Sequence, residues 1–173
     1  MIVIAPYDPA WPTLFRAEAE RIRGAFGNLG LRIEHVGSTS VPGLAAKPVI
    51  DIHVSVESLE PRELHGSLLT QLGYTHFPLD EFDRVYPLFK RPAWWPSTHH
   101  VHLCTTGSEQ EWNHLAFRDY LRRNPHAAEE YGALKRRLAS AHDGLTMESQ
   151  ERYSLSKSEF VRSVLSRALE DRV

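Results

Sequence analysis

Apolar side chains fall at Trp11, Leu14, Phe15, Ile22, Phe26 and Leu29, close to the spacing of one helical face, and predict a helix over residues 10–27. Asn28-Leu29-Gly30 ends it, and residues 31–37 read as a short strand running into a loop at 38–43. The clearest strand is 48–56. Its alternation sets Ile50, Ile52, Val54 and Val56 on one face and Val49, Asp51, His53 and Ser55 on the other. Helical spacing returns at Leu64, Leu68, Leu69 and Leu72, which predicts a helix over 60–72 closed by Gly73. Strands are expected at 74–77, 84–90 and 98–105, with the aromatic, proline-rich segment 91–96 as a loop. From Ser108 onward the pattern is helical, broken at Asn124-Pro125 and between His142 and Thr146, so three C-terminal helices are expected.

The mixture of strands and helices points to an α/β (α+β) domain with a mixed sheet flanked by helices. No repeat, long linker or low-complexity run divides the 173 residues, so one domain is expected over 1–173, with a sheet core at about 1–106 and a packed helical tail at about 107–173. Twenty basic and twenty-two acidic side chains leave a formal charge of -2. Such a balance gives no broad attraction to nucleic acid or an anionic membrane, and leaves room only for a local basic pocket. Cys104 is the single cysteine, so no intramolecular disulfide forms. With no signal-like start and no apolar run near ~18 residues, a cytoplasmic location is expected.

Chemistry concentrates between Ile33 and His53. Gly37 permits close backbone approach to a ligand, Ser38 and Thr39 add donors at a turn, and Lys47 adds positive charge nearby. On the strand that follows, Asp51 and His53 share a face, and a carboxylate beside a bound phosphate is what a bridging divalent cation needs. Taken singly, the Gly-Ser pair reads equally well as a plain turn and Asp51 as a hydrogen-bonded structural carboxylate. Together they are harder to explain so, because unsatisfied polar groups in an apolar strand cost roughly 1–3 kcal/mol each. His100 and His102 alternate with Val101 and Leu103. If their strand lies beside 48–56, a carboxylate and imidazole cluster results that binds metal or moves protons, the alternative being two structural histidines. His99 reads as structural or rim, and Cys104 as a small buried residue. Trp94, Trp95 and Arg91 are candidates to stack a base or cover the site, the alternative being a satellite core, and Arg118, Arg122, Arg123 and Lys157 to contact phosphates, the alternative for most of them being solvated charges.

The opening Tyr7-Asp-Pro-Ala-Trp-Pro12, the block Glu34-His-Val-Gly-Ser-Thr-Ser-Val-Pro-Gly-Leu-Ala-Ala-Lys-Pro-Val-Ile-Asp-Ile52, the His100-Val-His102 strand and Phe117-Arg-Asp-Tyr-Leu-Arg122 resemble the GrpB family of the nucleotidyltransferase superfamily. The resemblance implies the fold of DNA polymerase beta-like nucleotidyltransferases, with Gly37-Ser38 in the superfamily's phosphate-binding position and Asp51 as its first metal-binding carboxylate. The second acid usual on that strand is replaced here by His53. The resemblance implies a divalent cation, Mg²⁺ or Mn²⁺ with Zn²⁺ as a further option, on a metal set of Asp51, His53 and His102; since Mg²⁺ prefers oxygen ligands, this Asp-and-His set suits Mn²⁺, Zn²⁺ or a single-metal arrangement better.

The leading expectation is therefore metal-dependent transfer of a nucleoside monophosphate from a nucleoside triphosphate to a hydroxyl on a small molecule or protein. Gly37, Ser38, Thr39 and Lys47 would hold the phosphates, and Asp51, His53, His100 and His102 would carry the chemistry. Two alternatives stand beside it: a nucleotide- or phosphate-binding module without transfer chemistry, and a metal-dependent phosphoester hydrolase built on Asp51 and the histidines. A nucleic-acid partner ranks below these.

Overall fold

In the computed structural model, residues 2–94 and 96–171 are described, apart from the side chain of Met147. Five strands form one sheet in the order β1-β2-β5-β4-β3. They are β1 (Arg32–Val36), β2 (Ile50–Val56), β3 (Thr75–Phe77), β4 (Leu88–Arg91) and β5 (His99–Thr105). β2 and β5 are the parallel pair at the centre, and the other pairings are antiparallel. The expected mixed sheet is present.

One face of the sheet carries the main core. Ile50, Ile52, Val54 and Val56 of β2 and Val101 and Leu103 of β5 pack against Trp11, Ile22 and Phe26 of α1 (Trp11–Phe26) and Leu69 of α2 (Arg62–Gln71). Full burial of each such side chain stabilises the fold by about 1.5–3 kcal/mol. α1 begins at a turn in which Asp8 Oδ1 accepts from the Ala10 amide at 2.8 Å and ends at Gly27, whose φ of 53° an L side chain rarely adopts.

On the opposite face α3 (Glu109–Arg123) packs against β1 and β5, and α4 (Pro125–Ala141) and α6 (Ser158–Glu170) pack on α3, with α5 (Met147–Leu155) between them in the chain. Ser108 caps α3, accepting from the Glu111 amide at 3.3 Å, while Glu111 Oε2 accepts from the Gly107 amide at 2.7 Å. Pro125 opens α4, where a missing N–H does no harm. A second core joins these helices to the loop after β1, through Val41, Leu44, Tyr120, Leu121, Tyr131 and Val164. No helix among the described residues is long and apolar enough to cross a membrane.

Three expectations are corrected. The strand foreseen at 84–90 is confined to Leu88–Arg91, because Asp80–Arg84 coils into a 3-10 turn and Pro87 has no N–H for a ladder. The last of the three tail helices is two, α5 and α6, separated at Ser156 and Lys157. Leu64 is 41% exposed and His65 takes the inward position in α2, since the helix starts after Pro61 and its face is set by that start.

Candidate functional site

Residues paired across neighbouring strands share a face, so the register writes out the second face of the sheet row by row. Val36, Asp51, His100 and Lys90 form one row, and Glu34, His53, His102 and Leu88 the next. Ser55 and Cys104 follow. The expected convergence of Asp51 and His53 with His100 and His102 is thus in place.

Within this face the two rows differ. Asp51, with 29% of its side chain exposed, lies against His100, whose Nδ1 is 3.2 Å from Oδ1. Burial alone would raise the Asp51 carboxyl, but the bond and charge of His100, with His102 and His35 beyond, hold it below its ordinary value. His53 is turned inward and only 1% exposed. Its Nε2 lies 2.6 Å from Cys104 Sγ, and its ring meets Tyr86 and His114 edge-on. His102 stacks on Tyr86 at 4.3 Å. Burial pushes the His53 pKa down to about 3 and lowers His102 as well, so both rings are neutral at pH 7. His53 Nδ1, His102 Nδ1 and the Tyr86 hydroxyl have no protein partner. Among the described residues no group of three or more His, Cys, Asp or Glu side chains is arranged to hold a metal ion.

Gly37 explains why the loop after β1 belongs to this site. Its φ is 68°, and a β-carbon there would overlap Asp51 Oδ2 and lie 3.0 Å from the Asp51 Cβ and Cγ. Only glycine lets the chain pass this close to the carboxylate. Ser38 opens a 3-10 turn over Ser38–Ser40, close to buried Tyr131 of α4. Thr39, expected at the phosphates, is turned inward instead: its Oγ1 donates to the Val49 carbonyl and meets His35 Nε2, both at 3.0 Å.

Two arginines of α3 brace the loop. Arg122 donates to the Ser40 carbonyl from Nε at 3.0 Å and Nη2 at 2.8 Å. Arg118 donates from Nη1 to Glu34 Oε2 at 2.6 Å and to the His35 carbonyl at 3.1 Å. Arg122 therefore supports the loop after β1, and Arg118 the end of β1 that leads into it. Arg123 lies elsewhere, lining a pocket of about 370 Å³ with Arg32, Glu111 and Asp119. Arg91 faces the main core, where Nη1 and Nη2 grip the two carboxylate oxygens of Glu18 at 2.9 and 3.0 Å. His99 bonds Arg91 and Thr98 as a structural residue, and Cys104 is buried and free, its thiol pushed up by burial. Trp94 is 74% exposed; Trp95 lies outside the described residues.

Positive charge reaches the Asp51 row from several directions. Lys47 and Lys157 lie over the ring of buried Tyr153, 5.7 and 4.4 Å from its centre. Lys135 of α4 donates to the Ala45 carbonyl. Burial lowers Lys47, lowers Lys157 to about 8 with help from the charge of Lys47, and lowers Lys135 to about 7 with help from Lys157; at all three Asp51 opposes the shift. Lys90, in the Asp51 row, is lowered by burial and by Lys47. Sequence reasoning missed Lys90, Lys135, Tyr131 and Tyr153. The available signal was a lysine in the buried stripe Ala127, Tyr131, Lys135 and Ala139 of α4.

The GrpB protein family matches residues 1–167. The chain belongs to the GrpB family. A UPF0157 protein from Halalkalibacterium halodurans is 37% identical to this GrpB-family chain over 167 residues, 96% of this chain and 82% of that protein. The crystal structure of conserved protein GrpB from Enterococcus faecalis superposes with a TM-score of 0.83 at 37% identity, covering 98% of this chain and 99% of that one. The fold is also similar to the Cid1 poly(U) polymerase, solved with MgGTP bound, at a TM-score of 0.54 and 15% identity over 80% of this chain and 45% of that one. The fold of this chain is thus shared with that polymerase over most of its length.

Proposed function

We propose that this GrpB-family protein transfers a nucleoside monophosphate from a nucleoside triphosphate to a hydroxyl acceptor, with a divalent cation at Asp51. The observation that carries the reading is the seat of the Asp51 carboxylate. It is held against Gly37 at the mouth of the Gly-Ser turn, part-exposed, and its charge reaches Lys47, Lys135 and Lys157 in three separate parts of the chain. A lone structural carboxylate needs neither the glycine nor the lysines. The nucleotidyltransferase fold, and the MgGTP held by the distant Cid1 neighbour, support the same reading.

The residues fit a hard cation held by one carboxylate, because Mg²⁺ keeps several waters and takes the rest of its ligands from substrate phosphates. His53, committed to Cys104, and His102, stacked on Tyr86, are assigned to the inner wall of the site. When bound, the cation neutralises triphosphate charge as it builds during transfer. The chain's own residues do the remainder. Gly37 admits the phosphates, Ser38 and Lys47 contact them, Lys135 and Lys157 add charge from the helical side, and Thr39 fixes the turn from beneath. His100 orients Asp51. The acceptor oxygen bonds to the α-phosphorus as the bond to pyrophosphate breaks, and the proton of the acceptor hydroxyl passes to solvent.

Incubation with each nucleoside triphosphate, Mg²⁺ or Mn²⁺ and a panel of hydroxyl acceptors is expected to release pyrophosphate, with release lost in Asp51→Asn and in Lys47→Ala. Release of orthophosphate instead, or release unchanged by Asp51→Asn, would contradict the proposal. The replacement of the usual second acid by His53 favours one other reading, a nucleotide-binding module without transfer; it predicts Asp51-dependent binding and no pyrophosphate from any acceptor.

A further inference from the structure

The interior of α2 carries a glycine, Gly66, where the backbone does not ask for one. Gly66 is not among the glycines at positive φ, and a β-carbon there would meet only Phe89 Cε1, at an ordinary contact distance of 4.0 Å. Alanine would therefore fit, and it is the more stable residue inside a helix. The missing side chain leaves room. A pocket of about 210 Å³ lies between α2 and the sheet, with apolar walls from Leu59, Pro87, Phe89 and Leu103, and with His65 and Gly66 on the helix side. Phe89 and Leu103 belong to the main-core face, so this pocket lies behind the sheet from Asp51.

The polar groups around it narrow what it can hold. At the rim, Arg62 donates from Nη1 to the Asp83 carbonyl at 2.9 Å and pairs with Asp83 Oδ2 at 3.3 Å, while His76 Nε2 lies 2.7 Å from Asp83 Oδ1. Glu63, exposed beside them, repels an anion. His65 differs from these. It is 3% exposed, its Nδ1 has no hydrogen-bond partner among the described residues, and its ring stacks on Phe26 at 6.0 Å. A buried ring nitrogen without a partner costs stability, and a ligand that supplies one recovers it.

An apolar cavity of about 150 Å³ already holds benzene, so this pocket takes one six-membered ring with a small substituent. Phe89, with the His76 ring centred 5.0 Å from its own, offers that ring an aromatic wall. A hydroxyl both donates and accepts, and so meets either tautomer of His65. We propose that the pocket binds a small neutral phenol, its ring against Phe89 in the space that Gly66 leaves and its hydroxyl on the His65 ring. This site is separate from the nucleotidyl-transfer reading and does not depend on it.

Titration of the ¹⁵N-labelled protein with phenol, toluene and benzoate, followed through backbone amide shifts, tests the proposal. Phenol is expected to move the amides of Gly66, Phe89 and Leu103 saturably, and benzoate to leave them in place. Gly66→Leu fills the space and should weaken phenol binding by more than about tenfold, since a close-packed interior has no room for both. Gly66→Ala should bind phenol more weakly while unfolding a few degrees higher, which separates a filled pocket from a damaged fold. His65→Phe keeps a ring beside Phe26 without the nitrogens, and the ratio of phenol to toluene affinity should fall about 3–10-fold. The proposal is overturned by the absence of a saturable shift in the wild type, by benzoate binding as well as phenol, by undiminished phenol binding in Gly66→Leu, or by a lower unfolding midpoint in Gly66→Ala. An unchanged phenol-to-toluene ratio in His65→Phe would overturn the role of His65.

Discussion

At the scale of single residues, the site turns on a glycine and on histidines kept neutral. Gly37→Ala combines a positive φ with overlap of Asp51 Oδ2, whereas Gly43→Ala meets a positive φ of 79° with nothing within 4 Å. Both substitutions are expected to cost on the order of 1 kcal/mol of stability, but only Gly37→Ala should lose metal-dependent binding of a triphosphate, by more than about tenfold. Equal loss of binding in the two variants, read by calorimetry, would show that the Gly37 contact with Asp51 is unimportant. His53 gives a pH prediction. Its pKa falls from the ordinary 6.5 to about 3 in the fold, and that of His35 to about 4, in each case chiefly through burial. Between those values the unfolded chain binds more protons than the folded one, so stability is full above about pH 6.5 and is lost as pH falls. Urea midpoints should drop on acidification from about pH 6.5 toward 4, and drop less steeply in His53→Asn; an unaltered slope in that variant would count against a buried neutral His53. Asp51 was legible in the sequence because a carboxylate in an apolar strand needs a reason. The placing of the Ser97 hydroxyl 2.8 Å from His100 Nε2 was not, since a serine after a Trp-Trp-Pro loop has the look of any turn residue.

At the scale of elements, the Gly-Ser loop is held by a helix distant in sequence. Arg122 donates twice to the Ser40 carbonyl, and Arg118 ties β1 at Glu34 and His35. Arg122→Ala should weaken triphosphate binding by about tenfold while moving the unfolding midpoint by no more than a few degrees, because it loosens one loop and leaves both cores intact. A variant that binds as well as the wild type would relegate Arg122 to a surface charge. The period-2 pattern of residues 48–56 and 98–105 read correctly as strands, and their alternation put Asp51 and His53, and His100 and His102, on the right faces. Pairing of those strands could only be supposed, because register is a long-range property. The same limit made Arg118 and Arg122 look like phosphate ligands: their charge was visible, their partners more than eighty residues earlier were not.

At the scale of the molecule, the sheet supplies the carboxylate and the helical tail supplies much of the positive charge, so neither half makes the site alone. Lys135 and Lys157, with pKa values near 7 and 8 through burial, lose charge over the physiological range. A bound triphosphate favours their protonated forms, so affinity should be highest at or below about pH 7 and fall toward about pH 9. Lys135→Met should flatten that fall and weaken binding while leaving thermal stability equal or higher, since burying a lysine opposes folding; pH-independent affinity in the wild type would contradict the assignment. The fold class and the GrpB resemblance were readable from local patterns and motifs, but the meeting of α4 and the Lys157 turn with the Asp51 row was not, because it depends on how the tail folds back over the sheet. The central claim, a cation and triphosphate site built on Asp51, is tested most directly by the unfolding midpoints of wild type and Asp51→Asn with each nucleoside triphosphate, with and without Mg²⁺ or Mn²⁺. Ligand at about 100 times its dissociation constant should stabilise the wild type by roughly 2.7 kcal/mol, only with the cation present, and the effect should vanish in Asp51→Asn. Stabilisation that ignores the cation, or persists in Asp51→Asn, would contradict the account.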